Sequence, residues 1–137
     1  MSALYEQLRA AGSDRERRAI TGEVIDEMRL NPHDNVANEA YFSLCDRVIN
    51  NLGHTAVGRP IDYNGQFPPM VSAFLVMTAP RVSGFLGAIH ALPKVRTAIE
   101  AGPGASAIFS VAAAWRGAHV VGMEINEQAA ECATEVV

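Results

Sequence analysis

A chain of 137 residues, 49% apolar and 19% charged, has the size of one soluble globular domain and side chains enough for a core. Its net charge of −4, with acids and bases interspersed, argues against nucleic acid or an anionic membrane as partner. No apolar run of about eighteen residues is present and the start Met1-Ser-Ala-Leu-Tyr-Glu6 is too polar for a signal peptide, so no membrane partner and a cytoplasmic location are expected.

Residues 3–11 form a short helical pattern closed by Gly12. Ser13, followed three places on by Glu16, is a capping box that opens a helix through residue 30, with Ile20, Val24, Ile25 and Met28 on one side. Asn31-Pro32 stops it. From 34 or 35 to 52, Val36, Ala40, Leu44, Val48 and Leu52 recur at every fourth residue beside Ala37, Tyr41 and Cys45, and Gly53 stands where a C-terminal cap belongs. Three apolar stripes need a cover, whether one another, a second copy or a further domain.

Residues 53–69 are rich in turn formers and read as a long loop with Asn64-Gly65 as its tight turn. His54, Asp62, Tyr63 and Gln66 in this loop are the candidates for a substrate contact or lid. A helix is expected over 70–79, apolar almost all round (Met70, Val71, Phe74, Leu75, Val76, Met77) and therefore buried, with Pro69 in its first turn and Pro80 ending it. A helix over 81–92 follows, with Val82, Phe85, Leu86 and Ile89 as its stripe.

The stretch 95–131 carries the chemistry. It reads as strand, Gly102-Pro103-Gly104 turn, helix, strand ending in Glu124, and helix start, the order of the opening half of a nucleotide-binding α/β domain. Gly102 and Gly104 admit backbone angles closed to other residues, so a ligand can come close to the main chain. A helix opening near Ala105 would turn its unpaired N–H groups toward a carboxylate or phosphate. Glu124 stands where a carboxylate accepts hydrogen bonds from both hydroxyls of a ribose. Each residue also has a plain structural role available: Glu100 as a capping or solvent-facing acid, Glu124 as an acid favoured by a helix dipole, Asn126 as a cap and Trp115 as core. His33, His54, His90 and His119 are scattered, and Cys45 and Cys132 lack ligand spacing, so no metal is expected and both thiols read as reduced and partly buried.

Ala98-Ile-Glu-Ala-Gly-Pro-Gly-Ala-Ser106, with Val120-Val-Gly-Met-Glu124 after it, resembles motif I and its sequel in class I S-adenosylmethionine-dependent methyltransferases. The shared pattern is an acid, one residue, Gly-x-Gly and a small residue two places on. The resemblance implies S-adenosylmethionine as cofactor, held by Glu100, Ala101, Gly102, Pro103, Gly104, Ser106, Glu124 and Ile125, with Glu100 orienting the methionine part and Glu124 the ribose. Ser106 stands where many members have a third glycine. Position 107 is alanine, where a dinucleotide dehydrogenase would more often show the last glycine of Gly-x-Gly-x-x-Gly.

The fold class implied is α/β: a helical region over 1–92, serving as cap or dimerisation element, followed over 93–137 by the first βαβα half of a Rossmann-like methyltransferase domain. The chain ends inside the helix after the second strand, ahead of the strands that carry the adenine contact and most catalytic groups in that family. A fragment, one subunit of a split enzyme, or a short protein completing its sheet with a partner are the three expectations, and a homo-oligomer or a partner chain follows from the open sheet. The expected activity is methyl transfer to a small-molecule substrate, with the catalytic base not legible. The alternatives are an aminopropyl-type transferase resembling nicotianamine synthase, an NAD-binding oxidoreductase, and a non-catalytic assembly module.

Overall fold

Residues 3–54 and 68–136 are described by the computed structural model, which is mixed α/β and mostly helical, with one small parallel sheet. The Asn64-Gly65 turn and the loop candidates Asp62, Tyr63 and Gln66 lie outside the described residues.

Three helices come first: α1 (Ala3–Ala10), α2 (Asp14–Leu30) and α3 (Val36–Asn51). The expected capping box is present. Ser13 Oγ accepts the Glu16 N–H at 3.2 Å, while the Glu16 carboxylate reaches back one residue further than usual, to the Gly12 N–H at 2.8 Å. Asp34 Oδ1 accepts the Val36 N–H at 3.0 Å, satisfying one orphan donor of α3. Gly53, at φ 72, ends that helix.

The next segment differs from the expectation. The helix α4 spans only Pro69–Phe74, a 3-10 turn covers Leu75–Met77, and α5 runs Ala79–Ala91. Pro80 does not end a helix but sits in the first turn of α5, where its missing N–H leaves no bond unmade. The chain bends by 82° between the two pieces, so only one side of α4 meets the core: Pro69, Ala73 and Val76 are buried, whereas Val71, Phe74 and Leu75 are exposed. Among the described residues no single helix is long and apolar enough to cross a membrane.

Strand β1 (Thr97–Ala101), helix α6 (Ile108–Trp115), strand β2 (His119–Met123) and helix α7 (Glu127–Val136) complete the chain. The strands are parallel, pairing Thr97 with His119 through Ala101 with Met123. Helix α6 packs against both strands. Ile99 and Met123 remain 69% and 57% exposed on the sheet.

One core joins the helical region to the α/β part. Val24 and Met28 of α2, Tyr41, Cys45 and Ile49 of α3, and Val82 and Leu86 of α5 meet Ala105, Ile108, Ala112 and Cys132. Trp115, expected in this core, is half exposed. It ends α6 at the rim and lays its ring on Gly22, where an added Cβ would come within 2.1 Å of a ring carbon.

Candidate functional site

The parallel register brings the carboxyl ends of β1 and β2 to the same side of the sheet, which is where open α/β sheets bind ligands. The Gly102 N–H donates to the Met123 carbonyl at 2.8 Å, and the chain then turns through Gly102 at φ 69 and Gly104 at φ 64. Both values lie in the region that favours glycine.

Glu124 locks this turn. Its Oε2 accepts the Gly104 N–H at 2.9 Å and its Oε1 accepts the Asn126 N–H at 3.0 Å. A carboxylate offers about four acceptor positions, so acceptor capacity remains on the side chain where it lines the cleft. Asn126 is the cap expected from the sequence: its Oδ1 accepts the Ala129 N–H at 3.1 Å in the first turn of α7.

The helix after the turn begins later than Ala105. Ala107 adopts φ 44 and ψ 30, the left-handed conformation, and α6 starts only at Ile108. The Ala105 N–H, expected to face a ligand, donates instead to Ser72 Oγ at 3.0 Å. Ser72 in turn donates to the Pro69 carbonyl at 3.0 Å, so α4 is fastened to the glycine turn. The approach is close: a Cβ added to Gly104 would lie 2.9 Å from Ser72 Cβ.

Behind the turn, the buried Tyr41 hydroxyl donates to the Ser106 carbonyl at 2.7 Å. Burial pushes this hydroxyl well above its ordinary titration range, with the Cys45 thiol and the Glu100 carboxylate adding to the effect. Burial likewise raises the thiols of Cys45 and Cys132. The Glu100 carboxylate accepts a hydrogen bond from the Ser110 hydroxyl of α6.

Glu100, the glycine turn, Ser72 and Glu124 line a cleft of about 290 Å³, near the lower end of small-molecule sites. Of the residues singled out in the sequence, Glu100, Gly102, Pro103, Gly104, Ser106, Glu124 and Ile125 line it; Ala101, exposed at the end of β1, does not. His54 lies elsewhere, its Nε2 2.6 Å from Glu131 Oε2 on α7. Sequence reasoning missed Ser72, Arg81 and Phe109, which complete the walls. A lone hydroxyl at Ser72 in an apolar helix and a cation at Arg81 beside Pro80 were the available signals. Among the described residues no group of three or more His, Cys, Asp or Glu is arranged to hold a metal ion.

Comparison with family models, with curated proteins and with solved structures found no match for this chain.

Proposed function

We propose that this cleft binds S-adenosylmethionine and that the chain serves methyl transfer to a small-molecule acceptor, as the βαβα opening of a class I methyltransferase-like Rossmann domain preceded by helices. The observation that carries this reading is Glu124, fixed by the Gly104 and Asn126 N–H groups beside the glycine turn while keeping acceptor capacity in the cleft. The residues present suit the group. A vicinal diol needs two acceptors, which Glu124 supplies; an α-ammonium needs a carboxylate, which Glu100 supplies; and the glycine turn gives the main chain close approach.

When bound, the cofactor supplies an electrophilic methyl on a sulfonium. The work of this chain is then to bind and orient, holding one partner in line for attack by the other. Leu75, Val76, Val82 and Phe109 line the cleft with apolar surface and keep water from the reacting atoms. The exposed Ile99 and Met123 on the sheet support association with a second copy or with a partner chain that completes the sheet. The free thiols Cys45 and Cys132 suit a reducing cytoplasm.

Calorimetric titration with S-adenosylhomocysteine, with NADH as comparison, tests the reading. Micromolar binding of the former, weakened at least about tenfold in a folded Glu124→Ala variant, is the expected result. Preference for NADH would move the function to a nicotinamide-dependent oxidoreductase. Binding of neither ligand by the folded chain would leave an assembly module.

A further inference from the structure

We propose that Arg81 makes the cleft a receptor for an acceptor substrate bearing a carboxylate on an apolar body. The inference rests on reading the cleft as the cofactor site and adds the substrate class.

Among the described residues Arg81 is the one cation that lines the cleft. It falls in the first turn of α5, where no acidic residue is present and where a positive charge opposes the helix dipole. Among the described residues no carboxylate pairs with it. Among the described residues the two acids of the cleft bond Ser110 (Glu100) and the Gly104 and Asn126 N–H groups (Glu124), not Arg81. Among the described residues, then, neither helix stability nor an ion pair accounts for this guanidinium, which belongs to an exposed residue.

Its surroundings suit a planar anion. The guanidinium carbon lies 5.6 Å from the centroid of the Phe85 ring, within cation–π range, and a guanidinium is suited to a two-point bond with a carboxylate. The Phe85 ring is 5.0 Å from that of Phe109. Phe109 and Glu100 belong both to the cleft and to a second, mostly apolar hollow of about 240 Å³ between α5, β1 and α6, whose walls include Ile89, Ala98, Ala113 and Arg116, the last donating to the Leu92 carbonyl. Gly104 and Glu124 do not line that hollow. The row Arg81, Phe85, Phe109, which leads from the cleft to this hollow, favours the carboxylate of an acceptor over that of the cofactor. In a chain of net charge −4, a local cation also offsets the repulsion an anionic ligand meets.

The test uses the full chain, 3-phenylpropanoate and its uncharged amide as probes, and ligand-observed NMR titration with and without S-adenosylhomocysteine. The acid should bind at least about tenfold more tightly than the amide. Arg81→Gln should erase that preference, and Arg81→Lys should keep part of it. Equal binding of acid and amide to the unaltered chain, or a preference that survives Arg81→Gln, overturns the proposal. So does a loss of S-adenosylhomocysteine affinity in Arg81→Gln with 5′-methylthioadenosine affinity intact, which would assign Arg81 to the cofactor's own carboxylate. An Arg81-dependent preference for the acid in a chain that binds no S-adenosylhomocysteine would support the anion site while overturning the cofactor reading.

Discussion

Glu124 Oε2 accepts the Gly104 N–H at 2.9 Å across 20 residues of sequence, so one carboxylate both closes the glycine turn and faces the cleft. Its removal therefore has a cost even without ligand. Glu124→Ala is expected to lower stability by about 1–3 kcal/mol, measured by urea unfolding of the chain alone. An unchanged midpoint and slope would show that the two backbone bonds contribute nothing.

Gly104 is constrained twice, by φ 64 and by Ser72. Gly104→Ala should destabilise by about 1–3 kcal/mol. In a Ser72→Gly background the steric part disappears and only the backbone part remains, so the penalty should shrink. A double-mutant cycle reads the difference, and additive effects would separate the two residues energetically.

Gly22 lies inside α2 beneath Trp115. Gly22→Ala should destabilise by about 1–3 kcal/mol through overpacking and shift the emission of Trp115, the single tryptophan, to the red. With Trp115→Ala already in place the sign should reverse, because alanine is favoured over glycine in a helix by up to about 1 kcal/mol.

Tyr41 and Cys45 hold their protons more tightly folded than unfolded. Unfolded, the Cys45 thiol ionises near pH 9 and the phenol near pH 10, while in the folded chain burial keeps both protonated to higher pH. Stability is thus full below those values and falls as pH rises above about 9. Tyr41→Phe should cost about 1–3 kcal/mol at neutral pH by orphaning the Ser106 carbonyl. It should also flatten the decline above pH 10, followed by thermal unfolding across pH 8 to 11.

His54 meets Glu131 away from the cleft. His54→Ala should change stability by less than about 1 kcal/mol, since Glu131 is exposed, and should leave S-adenosylhomocysteine affinity within about twofold. A larger loss of affinity would bring the end of α3 into the site.

Much of the fold was legible where a local signal decided it. Ser13 with Glu16, the four-residue stripe of α3 and Gly53 placed helix ends because capping and amphipathic spacing act over a few residues. The run after Pro69 was misread because apolarity all round resembles burial, whereas the bend before α5 left Phe74 and Leu75 in solvent. Ala107 gave no sign of its left-handed conformation, since alanine in isolation favours the opposite. Within the site, the glycine turn and Glu124 could be read from spacing along the chain. Ser72 could not, because its bond to Ala105 joins residues 33 apart and exists only once α4 packs against the turn.

The Tyr41 to Ser106 bond joins residues 65 apart in the chain. Contacts of such separation carry the entropy of closing a long loop and slow folding as a whole. The cleft therefore depends on long-range closure: Ser106, one of its lining residues, is held by Tyr41 once α3 has docked. A ligand that recognises the finished turn would select chains that have traversed the whole path, and its binding would serve as a readout of folding as much as of chemistry.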